Sequence, residues 1–184
     1  MSEEQKGMSE NTGSNRLCMR RRDFLVAGGA AVATVLVVVP GCATPLRARK
    51  LTYPRKRIAS LRELQADVPA LFTYPDDDPT LGQCMLVKLG VPAGAGVGPD
   101  QDVVAFSAIC NHMGGPLAGS YKPEHKGVGP CPLHLTCFDL TRHGIVVSGH
   151  STESLPQILL ELEGDEIYAI GVLGLLYGHA SNLG

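Results

Sequence analysis

Cys110-Asn111-His112-Met113-Gly114-Gly115-Pro116 and Cys131-Pro132-Leu133-His134-Leu135-Thr136-Cys137-Phe138-Asp139 decide how this chain is read. Each stretch offers one thiolate and one imidazole, as Cys-x-His in the first and Cys-x-x-His in the second. Two sulfur donors with two nitrogen donors suit either a tetrahedral zinc ion or an iron–sulfur centre with mixed ligation. In the second case one iron of a 2Fe–2S cluster takes Cys110 and Cys131, and the other takes His112 and His134.

The residues between the donors favour the cluster. Gly114, Gly115 and Pro116 let the backbone wrap closely around an inorganic core and give N–H groups to its sulfurs. Pro132 stiffens the second loop just after its thiolate. Thr136 is placed to aim a hydroxyl at a bridging sulfur. Zinc ribbons more often pair Cys-x-x-Cys knuckles, so zinc is the minor alternative. The pattern reads as a Rieske-type 2Fe–2S site, one cluster per chain.

Composition sets the frame around these loops. A chain of 184 residues with 22 Gly, 13 Pro and no Trp points to a loop-rich β domain rather than a helical bundle. The formal net charge of −2 is too small to argue for nucleic acid, and no basic stripe is interleaved with aromatics. Nothing repeats at a solenoid period.

Residues 1–46 read as a disordered start and an export leader. Arg20, Arg21 and Arg22 precede Asp23-Phe24-Leu25, and an apolar run of Ala, Gly and Val follows to Val39. This resembles a twin-arginine signal, the route for proteins that fold around a cofactor before crossing a membrane. No charge occurs from Phe24 to Leu46, long enough to span a bilayer, yet Gly28-Gly29 and Pro40-Gly41 weaken a permanent helix. Val39-Pro40-Gly41-Cys42 is loosely similar to a lipoprotein cleavage site. Cleavage and retention as a weak membrane anchor both stay open. The basic run from Arg47 to Arg57 reads as a solvated linker.

Residues 47–184 then form the domain, with the cluster-binding part at about 103–145. Strands are expected at Ile58–Leu61, Pro69–Tyr74, Cys84–Leu89, Val103–Ile109 and Gly144–Val147. A hairpin joins Ile158–Glu163 to Glu166–Val172 through Gly164-Asp165. Pro75 to Pro79 is a turn, and Gly90 to Gly98 a long loop. Positions 113 to 130 read as a surface excursion, and the tail from Gly174 as a mixed segment lying on the domain or on a partner. Many short strands with regular turns give an all-β, antiparallel architecture. Cys84 and Cys137 are left as free, buried thiols. His125, His143, His150 and His179 read as solvated side chains.

The ligand pattern resembles the Rieske family residue by residue. Phe72-Thr73-Tyr74-Pro75, Val87-Lys88-Leu89-Gly90, Gly96-Val97-Gly98-Pro99, Glu153-Ser154-Leu155-Pro156 and Leu175-Leu176-Tyr177-Gly178 look like one branch, the small subunit of arsenite oxidase. That resemblance implies a periplasmic electron-transfer subunit without a catalytic residue of its own. It also implies a large subunit carrying molybdopterin and a further iron–sulfur cluster, and a cytochrome c or cupredoxin as acceptor. A rival is the Rieske subunit of a quinol–cytochrome c oxidoreductase, favoured if the leader stays as an anchor. A cytoplasmic Rieske ferredoxin feeding an oxygenase fits the leader poorly.

Two departures from the family bear on the redox potential. Many members have cysteines where this chain has Gly115 and Leu133, and bridge the loops with a disulfide. Many high-potential members have Tyr where Phe138 stands and Ser where Thr136 stands. A tyrosine hydroxyl donating to a ligand sulfur stabilises the more negative, reduced cluster. The expected potential therefore lies below the top of the Rieske range, about +300 mV, and above that of plant-type ferredoxins.

Overall fold

The computed structural model describes residues 52–183, which carry ten strands, all antiparallel, in two sheets. The expected leader, read as an export signal and possible anchor, falls on residues outside the described ones. Among those described, no helix is long and apolar enough to cross a membrane.

The larger sheet takes β1 (Lys56–Ser60), β2 (Ala70–Thr73), β3 (Gln83–Lys88), β4 (Val103–Ser107), β9 (Gln157–Glu163) and β10 (Glu166–Leu173), in the order β1-β10-β9-β4-β3-β2. Its centre is the β3–β4 pair, in register from Cys84 opposite Ser107 to Lys88 opposite Val103. Side chains alternate across a strand. Met85, Val87, Val104 and Phe106 therefore enter one core, and Cys84, Leu86, Val103 and Ala105 the other. Both faces of β4 are buried, which is why its sequence is a continuous apolar run. β9 and β10 pair around Gly164, whose φ of 62° gives the tight turn its left-handed step.

The smaller sheet, ordered β5-β6-β7-β8, is built from β5 (Tyr121–Lys122), β6 (Gly127–Val128), β7 (Cys137–Asp139) and β8 (Ile145–Ser148). Here the excursion expected between the two loops is corrected. Positions 113 to 130 contain the β5–β6 hairpin, and Leu117, Gly127 and Val128 are buried. Strands two residues long have no periodicity to read. The expected loop across Cys137–Asp139 is also a strand, since β7 pairs with β6 and β8.

The first core gathers Met85, Val104 and Phe106 of the larger sheet with Val128 and Phe138 of the smaller one. The thiols of Cys110 and Cys131 belong to that same core. Asp67 pins the β5–β6 hairpin from outside. Its carboxylate accepts from Lys126 Nζ at 2.7 Å and from the Tyr121 hydroxyl at 2.6 Å. The Lys126 ammonium, then the Tyr121 hydroxyl, hold the Asp67 carboxyl below the usual carboxylate range. A depressed carboxyl contributes stability above its unfolded pKa and loses it as pH falls through the folded one. Asp67→Asn should therefore melt below the parent at neutral pH. In thermal scans taken at successively lower pH, the gap should close once the parent carboxyl protonates; a gap unchanged with pH would count against this clamp.

Cys84 is buried and Cys137 half-buried, and both are free thiols. Burial pushes the Cys84 thiol up to about 12, and its sulfur lies 3.4 Å from the Gly82 carbonyl oxygen.

Candidate metal centre

β4 delivers the first loop and β7 receives the second, and each loop is closed by the same kind of backbone bond pair. In the first, Cys110 N–H donates to Gly115 O and Gly114 N–H donates to Cys110 O, each at 2.8 Å. In the second, Cys131 N–H donates to Thr136 O at 2.8 Å and Leu135 N–H donates to Cys131 O at 2.9 Å. Gly114 and Leu135, each four residues after its cysteine, both turn left-handed, with φ of 73° and 59°. The loops are thus equivalent in backbone, although their histidines sit two and three residues after the cysteine.

This closure sorts the four donors. Cys110 and Cys131 are each 1% exposed, side by side in the core. The rings of His112 and His134 meet edge to face with centroids 4.8 Å apart; His112 is half-buried and His134 exposed. Burial pushes the Cys110 thiol up, the His112 N–H aimed at its sulfur acts against that, and the neighbouring Cys131 thiol adds to it. Bound to a cationic metal, such a thiol is deprotonated outright. Among the described residues, no three Cys, His, Asp or Glu side chains form a group that would hold a single ion. A sulfur pair inside and an imidazole pair outside fit a dinuclear centre with mixed ligation. We propose Cys110, His112, Cys131 and His134 as its ligands.

The backbone of the first loop packs closely on its neighbours. A Cβ on Gly115 would stand 2.5 Å from Cys131 Sγ and 3.1 Å from Leu133 Cγ. Positions 115 and 133 therefore face each other, as the resemblance to disulfide-bridged members implies. A Cβ on Gly114 would stand 2.4 Å from the Tyr177 ring. Phe138 is buried in the core that holds both thiols. Thr136 is fully buried, and its hydroxyl accepts from His150 N–H at 3.2 Å, which leaves its own proton for another acceptor.

Two contributors lie beyond 103–145, and sequence reading missed what they do. The first is a third loop, 149–154. His150 is exposed, as expected, but its ring lies 6.0 Å from that of His112 and 6.4 Å from that of His134, nearly parallel to the former. Asn111 ties this loop to the first one, donating to the Ser154 carbonyl at 2.7 Å and accepting from the Ser151 hydroxyl at 2.9 Å. The second is the tail. Leu176 is buried, and Asn182 holds the segment by accepting from Leu176 N–H at 2.8 Å and donating to the Gly174 carbonyl and the Tyr53 hydroxyl. That strap lays Tyr177 over Gly114. His143 is likewise engaged, with Nδ1 2.8 Å from Gln157 Oε1, and His179 Nε2 is buried without a partner. The Glu153–Pro156 match is a sequence cue to the third loop.

Comparison with known proteins agrees with this geometry. The Rieske [2Fe-2S] domain family matches residues 58–159. The iodate reductase subunit IdrB of Denitromonas iodatirespirans is 57% identical over 171 residues, covering 92% of this chain and 90% of that one. Its counterpart in Pseudomonas sp. (strain SCT) is 58% identical over 167 residues, covering 90% of this chain and 85% of that one. The soluble domain of the Rieske protein II (soxF) from Sulfolobus acidocaldarius shares the fold, with a TM-score of 0.61 at 23% identity over 70% of this chain and 83% of that one. The chain belongs to the Rieske [2Fe-2S] domain family and takes a Rieske-type 2Fe–2S cluster.

Proposed function

We propose that this chain is the electron-transfer subunit of an oxidoreductase of the iodate reductase kind, passing single electrons across its imidazole edge. One observation carries the reading: the sulfur donors are sealed in the core while the His112 and His134 rings reach the surface. The cluster supplies one-electron redox chemistry when bound. The chain's own residues fix which edge faces a partner and keep water from the sulfurs. Identity of 57% and 58% to iodate reductase subunits, over about nine-tenths of this chain, supports the assignment to that enzyme class. Substrate would be converted on a large subunit bearing molybdopterin, with electrons arriving through this chain from a soluble carrier. The basic pair Arg21-Arg22 before an apolar run supports export to the periplasm by the twin-arginine route.

The resemblance at Leu175–Gly178 and the other flanking stretches favours a second reading, arsenite oxidase. The same chain would then pass electrons outward, to a cytochrome c or cupredoxin. Purification of the native complex through a tag after Gly184 separates the two. Molybdenum in the complex with viologen-dependent iodate reduction is the expected result. Arsenite-dependent dye reduction without iodate reduction would transfer the chain to the second reading. Recovery with membrane cytochromes and quinol oxidation would overturn both.

The potential tests the cluster environment separately. A redox titration followed by EPR should place it below about +300 mV, because Phe138 offers no hydroxyl to a ligand sulfur. Phe138→Tyr should raise it by on the order of tens of millivolts if the new hydroxyl donates to Cys131. An unchanged or lowered potential would show that the hydroxyl does not reach the sulfur.

A further inference from the structure

Tyr177 reaches the first cluster loop from a segment that belongs to neither sheet. The tail leaves β10 and turns back at Leu176–His179, where His179 N–H donates to the Leu176 carbonyl at 3.2 Å. Gly178, with φ of 81°, takes the third place of that turn, as the type II form requires. Tyr177 takes the second place, where the turn sets no demand for an aromatic. The turn is held from both sides. Leu176 is 1% exposed, and Asn182, itself 7% exposed, accepts from its N–H and donates to the Gly174 carbonyl. On the other side, a Cβ on Gly178 would stand 3.0 Å from Leu81 Cδ1. A segment fixed in this way delivers its tyrosine to one place.

That place is the backbone of the first loop. A Cβ on Gly114 would stand 2.4 Å from Tyr177 Cε1 and 2.9 Å from its Cζ, whereas one on Gly115 would meet Cys131 Sγ at 2.5 Å. The loop is thus packed between the tyrosine ring and the second thiol. Gly114 and Gly115 have no side chains with which the loop could grip its surroundings, so a contact from outside has to hold it. What it carries is the His112 ring and two N–H groups, those of His112 and Met113, aimed at the Cys110 sulfur. Hydrogen bonds to a ligand sulfur favour the reduced, more negative cluster. They weaken when distance or angle slips.

We infer that Tyr177 is a positioning residue for the cluster: its ring backs the His112-Met113-Gly114 turn, holds the turn's N–H groups on the Cys110 sulfur, and so keeps the reduction potential up. This rests on the reading of Cys110 and His112 as ligands. Removing the ring has two effects of opposite sign. Loosened donors lower the potential, whereas water admitted to the sulfurs would raise it. The first wins, because both thiols are enclosed by the core of Phe106, Val128 and Phe138, and taking the ring away frees the loop rather than baring the sulfurs.

The test is a redox titration followed by EPR on the native complex carrying Tyr177→Phe, Tyr177→Leu or Tyr177→Ala. Tyr177→Phe keeps the ring and should match the parent in midpoint and spectrum. Tyr177→Ala should hold iron at the parent level with altered g-values. At the parent's midpoint its ratio of oxidised to reduced cluster should rise about five-fold, a fall of about 40 mV for a one-electron couple. Tyr177→Leu fills part of the space and should fall between the two; it reads the same effect if the alanine variant loses its cluster. A midpoint unchanged or raised in both truncations would overturn the inference, even with a lowered Tm, since a merely structural strap moves stability alone. So would a fall in Tyr177→Phe equal to that in Tyr177→Ala, which would assign the effect to the hydroxyl. A parent complex without a Rieske-type EPR signal would overturn the ligand reading and the inference together, whereas a normal parent signal with unmoved variants would overturn the inference alone.

Discussion

Cys110→Ala and Cys131→Ala are expected to purify without iron, as are His112→Ala and His134→Ala, but the four apo chains should differ in stability. All four lose whatever stabilisation comes from a cluster that binds only the folded state. The thiol variants lose more. Each cysteine is 1% exposed within the core shared by Phe106, Val128 and Phe138, so removing its sulfur leaves a gap where the two sheets meet. A gap of that size costs about 1 kcal/mol, by analogy with removing one buried methyl group. His134 is exposed, and its truncation opens no such space. Iron analysis with thermal scans of the apo proteins checks both parts. Iron retained at the parent level in any one variant would remove that residue from the ligand set.

Gly149→Ala should be strongly damaging although it lies outside the ligands. Gly149 has φ of 103°, a region that side-chain-bearing residues rarely adopt. A Cβ there would stand 2.4 Å from Thr136 Cα and 2.8 Å from Thr136 N, both backbone atoms of the second cluster loop. Neither atom can rotate aside, so the third loop must move off or the second must open. Backbone strain and overpacking together are expected to cost about 3 kcal/mol, or a fall of about 10 °C in Tm for a domain of this size. The same shift would break the bond from His150 N–H to the Thr136 hydroxyl. The EPR spectrum should broaden or change with the loss of stability. A variant as stable as the parent with an unaltered spectrum would show that the third loop is not tied to the cluster as described.

Much of the protein was written in local patterns. The continuous apolar run of β4 and its equal burial on both faces are one fact, because a central strand has no solvent side. Gly164-Asp165 between two alternating runs gave the β9–β10 hairpin by its turn chemistry. The Cys-x-His and Cys-x-x-His pairs gave the proposed donors, since few other residues ligate iron–sulfur centres. By contrast, β5 and β6 are too short to show any period, and the side chain that pins their hairpin, Asp67, lies fifty-four positions from Tyr121.

By itself the sequence determined the all-β class and the main strands, and it supplied the proposed donor pattern, because each rests on residue type and near spacing. Tertiary structure decided that sulfurs are sealed and imidazoles presented. It also brought His150 beside the ligand rings and Tyr177 over Gly114, from 38 residues (150 − 112) and 63 residues (177 − 114) along the chain. No local signal encodes such approaches, which exist only once separate loops are packed on one core. The conformation of Leu135 was hidden for the opposite reason: its residue type argues against the turn that loop closure imposes on it.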